Sequence, residues 1–191
     1  MSDSPATDRE SAGPHPQPWR RCFIALAPDA PSRDALAALD VPPHARRVPP
    51  AQLHLTVSFI GAMSVEQGES LARGLAHVRY LPPAPVTMLD VWPKRAQPRL
   101  MVAVVASSDA FAALDAHVRS LMSAAGLPLD ARAFRPHVTL ARFPRDAAAA
   151  SAIESATRLP PPLRFESLVL YSSTLAKQGA RYEALAAVKL A

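Results

Sequence analysis

The sequence predicts an α+β fold of antiparallel strands layered with helices, and three observations carry that reading. Segments with a two-residue hydrophobic period alternate along the chain with segments of helical period. Strand candidates occur as adjacent pairs, 85–92 with 99–107 and two more at the C-terminus, as hairpins do and a purely parallel sheet does not. A chain of 191 residues, 49% of them hydrophobic, is long enough to bury a sizeable core.

Taken in order, residues 1–18 are rich in Pro, Ser and charge and poor in apolar side chains, which predicts a disordered tail, His15 included. Residues 19–191 are expected to form one domain. "WRRCFIALAP" reads as a strand, "APSRDALAALD" as a short helix opened by Pro31 and Ser32, and "PPHARRVPP" as a loop. "QLHLTVSFI" is a strand expected to stop at Gly61. "SVEQGESLARGLAHV" has helical spacing at Val65, Leu71, Leu75 and Val78. "PVTMLDVW" and "RLMVAVVAS" are strands. "SDAFAALDAHVRSLMSAAG" is a helix capped by Ser108 or Asp109, with Phe111, Leu114, Val118 and Leu121 as its core stripe and Gly126 as its stop. "RPHVTLARF" is a strand, "RDAAAASAIESATR" a helix, and "LRFESLVLYSS" and "ARYEALAAVKL" a terminal strand pair.

Composition narrows the chemistry. The net charge is +5, and 18 of the 21 basic residues are arginines, a balance that leans towards an anionic partner because Arg grips phosphate bidentately. The single cysteine, Cys22, excludes an internal disulfide and a Cys-based zinc cluster. The longest apolar run, 100–106, is far short of a membrane span, and a cytoplasmic location is expected. No Gly-rich phosphate loop, dinucleotide fingerprint, H-E-x-x-H or EF-hand pattern occurs, so neither a nucleotide cofactor nor a metal is expected. His77 and His117 lie in helical segments without metal-spaced partners and are expected to be structural.

The informative stretch is "LHLTVSF", where His54, Thr56 and Ser58 share one strand face and Leu53, Leu55, Val57 and Phe59 the other. The arrangement recurs 83 residues downstream in "PHVTLAR" as His137 and Thr139. Two imidazoles facing one cleft can act as acid and base, since an ordinary pKa of about 6.5 lets one be charged while the other is neutral. In-line displacement at phosphorus uses such a pair, one group taking a proton from the attacking oxygen and the other giving one to the leaving oxygen. The threonine hydroxyls can donate to the non-bridging oxygens.

With these motifs, and with "RCFIALAPD", "FRPHVTLARF" and the closing pattern of Ser173, Leu175, Gly179 and Tyr182, the sequence resembles the two-histidine phosphoesterases. Within them it is most similar to the RNA 2′,3′-cyclic phosphodiesterases, also called 2′-5′ RNA ligases. The resemblance implies two pseudo-symmetric lobes, each with an antiparallel sheet, facing a central cleft with helices outside. It also implies opening of a terminal 2′,3′-cyclic phosphate to a 2′-phosphate without metal or cofactor, with His54 as proton donor and His137 as proton acceptor. RNA ends, tRNA fragments among them, or a small nucleotide would be the partners, and the protein a monomer. Thr56 and Thr139 would bind the phosphate. Arg142 would suit the same role, although ideal alternation sets it on the face opposite His137, so only a bent strand or a long reach brings it there.

The chain departs from the family in lacking Trp in "PRLMVAVV", in having Val188-Lys189 for a usual Trp-Pro, and in Ser58 preceding Phe59. Phe59, Phe134 and Tyr171 are candidates to stack on a base, each expected first as a core residue. A phosphodiesterase of a small cyclic nucleotide or 2′-5′ oligoadenylate, and a non-catalytic RNA-binding module, are the competing readings.

Overall fold

The computed structural model describes residues 19–147, 158–176 and 179–191. Their elements, in chain order, are β1 (Trp19–Pro28), α1 (Ala30–Ala37), β2 (Arg46–Arg47), a 3-10 turn (Pro50–Gln52), β3 (Leu55–Met63), α2 (Val65–Leu75), β4 (Val86–Lys94) and β5 (Gln97–Val105). They continue with α3 (Asp109–Ala124), β6 (His137–Arg142), β7 (Phe165–Ala176) and β8 (Gly179–Lys189). The tail and most of the helix expected at 145–158 lie outside the described residues.

Among these residues the strands make one antiparallel sheet in the order β4-β5-β6-β3-β1-β7-β8, with β2 lying against β6. It is two flanks joined at one place. β4, β5 and β6 form one flank, and β3, β1, β7 and β8 the other. The only β3–β6 Cα partners are Leu55 and Val138. Beyond that pair the strands part, and β2 takes up the free edge of β6 by pairing Arg46 with Arg142 and Arg47 with Ala141. The segment expected to be a loop throughout therefore contributes a two-residue strand, because β6 has unpaired backbone groups to satisfy there.

The three helices fill one core with the inward faces of the strands. Leu36, Leu71, Leu75, Phe111, Leu114, Val118 and Met122 join Ile24, Leu26, Leu55, Val138, Leu140, Leu168 and Leu170 in a single buried cluster. Asp29, rather than Pro31 or Ser32, opens α1, its carboxylate accepting from the Ser32 N–H at 2.9 Å. Ser64 and Gln67 form a reciprocal capping box on α2, and Ser108 caps α3. On α3 the fourth core position is Met122, and Leu121 turns to α2 instead. A Cβ at Gly74 would lie 2.3 Å from Leu121 Cδ2, so the glycine is what lets the two helices approach.

β3 runs two residues beyond the expected stop, since Gly61 takes φ +87° within the strand instead of ending it. His54 falls just before the strand, between the 3-10 turn and Leu55.

The joint is the testable point. Leu55→Ala removes a fully buried side chain from the one β3–β6 pair and is expected to cost ~2–5 kcal/mol in denaturant unfolding. Leu175→Ala, at a side chain 69% exposed, should stay within about 0.5 kcal/mol. Equal losses would mean that the two flanks are held elsewhere.

Candidate active site

Leu55 and Val138, the residues that join the flanks, each directly follow a motif histidine. Both point into the core with no exposed surface. Their neighbours therefore point to the other face of the sheet. One residue either way in the same register sets His54 opposite Thr139 and Thr56 opposite His137. The duplicated motif thus folds into a crossed quartet, and all four side chains line one cavity of about 1190 Å³.

Each imidazole is oriented in the same manner. His54 Nδ1 lies 2.7 Å from the Gln52 carbonyl, and His137 Nδ1 lies 2.6 Å from the Arg135 carbonyl. A carbonyl can only accept, so Nδ1 carries the hydrogen in both rings, and Nε2 is left to exchange a proton. The carbonyls are themselves held. Gln52 closes the 3-10 turn, and its side-chain amide donates to the Ala180 carbonyl of β8 at 3.0 Å. Pro136, next to Arg135, accepts from the Val105 N–H at 3.0 Å.

Aromatic rings fix the imidazoles from the side. Phe23 lies 5.2 Å from His54, and Tyr182 meets it edge-on at 5.4 Å. Trp92 lies 4.6 Å from His137 and carries the Arg135 guanidinium over its own ring at 4.1 Å. The Trp92 indole N–H donates to Asp90 at 2.8 Å. Burial pushes both histidines below their ordinary pKa, against the opposing effect of the carbonyl bonds. The positive charges of Arg142 and then His137 lower His54 further, and Arg135 does so for His137.

Arg142 lines the same cleft, contrary to ideal alternation, and the registers give the reason. On β6, Ala141 pairs with Met101 and Thr139 with Val102, so Leu140 has no partner on β5. This is a β-bulge, with the Leu140 carbonyl taken up by the Val48 N–H at 2.8 Å. Leu140 and Ala141 are consecutively buried, and Arg142 comes round to the face of His137. β3 carries the matching irregularity. Ser58 pairs with Ile24 and Thr56 with Ala25, leaving Val57 unpaired. Phe59 is thereby brought to the cleft, where it is 63% exposed. Both bulges fall three residues after a histidine, and both rephased side chains five residues after.

All five residues singled out in the sequence, His54, Thr56, His137, Thr139 and Arg142, line this one cavity. The expectation that Phe59 belongs to the core is corrected by its exposure. Phe134 is half-buried against Phe111, and Tyr171 stacks on Phe23 at 5.1 Å beside a smaller cavity behind His54. Sequence reasoning missed Trp92, Asp90 and Gln52. The trace of the β6 bulge was legible as the adjacent apolar pair Leu140-Ala141, which breaks strand alternation. His117 reaches the Gly74 carbonyl through Nε2 at 3.1 Å and His77 reaches it through Nδ1 at 3.1 Å, both outside the cleft. Among the described residues, no helix is long and apolar enough to cross a membrane.

Comparison with known proteins agrees with this fold. The structure superimposes on E. coli LigT complexed with 3′-AMP at a TM-score of 0.68, with 26% identity over 91% of this chain and 99% of that one. It superimposes on TT0787 of Thermus thermophilus at 0.67, with 27% identity over 88% and 97% of the two chains. E. coli LigT complexed with ATP gives 0.64 at 25% identity, over 91% of this chain and 99% of that one. Among curated proteins, none matches the chain in sequence. The model of the 2′-5′ RNA ligase superfamily matches residues 17–174, which span both histidine motifs, five of the seven strands of the main sheet order and most of β7, and the chain belongs to that superfamily of two-histidine phosphoesterases.

Proposed function

We propose that the protein hydrolyses the terminal 2′,3′-cyclic phosphate of RNA to a 2′-phosphomonoester, without a metal, by proton transfer between two imidazoles. The observation that carries this is the pair of Nδ1–H bonds to backbone carbonyls, which leaves two Nε2 atoms available in one arginine-lined cleft. His137 takes a proton from water as the water oxygen bonds to phosphorus. His54 gives a proton to O3′ as the P–O3′ bond breaks, and O2′ keeps the phosphate. Thr56 and Thr139 donate to the non-bridging oxygens, and Arg142 offsets their charge. A ribose 5′-hydroxyl in place of water gives a 2′-5′ linkage by the same proton transfers. Phe59, exposed and apolar at the cleft wall, suits stacking with a base. The ligands in the E. coli LigT structures, 3′-AMP and ATP, are consistent with a nucleotide end in such a cleft.

Incubation with a short RNA bearing a 2′,3′-cyclic phosphate, with and without EDTA, should yield the 2′-phosphomonoester in both cases. A 3′-phosphomonoester, or loss of activity that a divalent ion restores, would refute the mechanism. His54→Ala and His137→Ala should each lower kcat by about 10²–10⁴, with the double variant losing less than the product of the two. A substrate with sulfur at the 3′ leaving position should largely rescue His54→Ala and not His137→Ala; the opposite pattern exchanges the two roles.

The electrostatics give a separate check by NMR. A cation near an imidazole disfavours its charged form, so removing the cation raises the pKa. Arg142→Gln is expected to raise the titration midpoint of His54, on the other flank, and to leave that of His137, on its own strand, nearly unmoved. An unmoved His54 midpoint would mean that the Arg142 guanidinium does not act on that imidazole across the joint.

A further inference from the structure

One residue in the cleft is held in a backbone conformation that its side chain disfavours. Four described residues have left-handed φ: Gly61 at +87°, Gly126 at +67°, Gly179 at +123°, and Arg21 at +54°. Where the chain needs this conformation it uses glycine, except at Arg21. A non-glycine residue there persists only where its surroundings over-determine it, and such residues concentrate at binding and catalytic sites.

The surroundings of Arg21 do over-determine it. Trp19 pairs with Met63 and Cys22 with Gly61, so β1 carries one residue more than β3 between those pairs, a bulge at Arg20 and Arg21. On one side the Trp19 ring covers Gly68 of α2 so closely that a Cβ there would lie 2.3 Å from Cζ3. On the other side Cys22 is 1% exposed in the core. The neighbouring strand β7 ties the bulge down through Ser172, a buried residue whose hydroxyl donates to the Arg20 carbonyl at 3.4 Å. The bulge turns the exposed Arg21 side chain into the cleft beside Phe59, Gly61 and Leu175. Gly61 leaves open space opposite, with no atom within 4 Å of where its Cβ would be.

The arginine has no other evident employment. Four of the seven cleft arginines have a named partner: Arg47 donates to the Ala37 carbonyl, Arg119 to the Asp130 carbonyl and Arg132 to the Asp130 carboxylate, while Arg135 covers Trp92; Arg46 is engaged as well. Among the described residues, Arg21 and Arg142 have no hydrogen-bond or ion-pair partner. They stand at different places. Arg21 is four residues along β1 from Ala25, the partner of Thr56, or about 13 Å at the rise of a strand. Along the backbone, Arg21 thus stands apart from the place between the imidazoles that Arg142 adjoins.

We propose that Arg21 is a subsite for a backbone phosphodiester upstream of the reacting end, which makes the protein select an RNA strand over a mononucleotide. The inference rests on the function proposed above for substrate, but its first test needs no turnover. Affinity is measured by fluorescence anisotropy for a short RNA ending in a 2′-phosphate, and for a series in which one upstream phosphodiester at a time is an uncharged methylphosphonate. One position should weaken binding to the wild type by about 10-fold, as expected for a lost charge-assisted bond. Arg21→Gln should weaken binding of the fully charged RNA by a similar factor, lower the salt slope by about 1, and become indifferent to that methylphosphonate. Arg21→Gly should show the same loss with Tm at or above that of the wild type, because glycine adopts this φ freely. With the cyclic substrates, the ratio of kcat/KM for RNA over the mononucleotide should fall about 10-fold in Arg21→Gln. An unchanged affinity, a methylphosphonate penalty that persists in the variant, or equal losses on RNA and mononucleotide would each overturn the subsite. Absence of turnover on every cyclic substrate, with the binding results as expected, would refute the proposed reaction and leave the subsite standing.

Discussion

A single strand pairing carries the arrangement of the whole cleft. Among the described residues, Leu55 and Val138 are the one point where the two flanks of the sheet are paired neighbours, and each is the residue after a histidine. Burying these two side chains in the core is what turns His54, Thr56, His137 and Thr139 to the opposite face. The hydrophobic effect and the pleat of a strand thus assemble the quartet. No direct contact between the four polar residues is needed for it. The divergence of β3 and β6 beyond the pair then opens the space that a substrate would occupy.

The surroundings of the two imidazoles are alike in plan and unlike in detail. Both rings lean on the carbonyl two residues upstream, so both present the same nitrogen. His54 is enclosed by Phe23 and Tyr182 and feels the charge of Arg142 from across the joint. His137 lies against Trp92, which also carries the Arg135 guanidinium over its ring and donates its indole N–H to Asp90. Two groups of equal intrinsic basicity are therefore given separate environments, as the unlike roles proposed for them would require.

The elements that follow from periodicity were legible in the sequence. The β4–β5 and β7–β8 hairpins, α2, α3 and the two motif strands all rest on local patterns of apolar spacing and capping. The paired motifs were legible for the same reason, since i and i+2 share a strand face. What strand alternation could not give was the cleft position of Arg142 and Phe59, because a bulge shifts the phase by one residue and is set by the neighbouring strand. Trp92 escaped notice because its partner His137 lies on the far side of β5, a relation that no local pattern records. The short β2 strand exists only because β6 has an edge to fill.

The matched bulges have a consequence for direction. A cleft built from two copies of one motif would, if the copies were equivalent, accept an RNA end in two orientations related by a half-turn. Under the proposed reaction, one of those would set the proton donor beside the wrong ribose oxygen. Five residues after its histidine, however, one strand delivers a phenyl ring and the other a guanidinium. A base has an affinity for the first and a phosphate for the second, so the half-turn that maps one backbone onto the other does not map their side chains. Under the proposed function, polarity in a near-symmetric scaffold would thereby be fixed by two residues, Phe59 and Arg142, rather than by the fold.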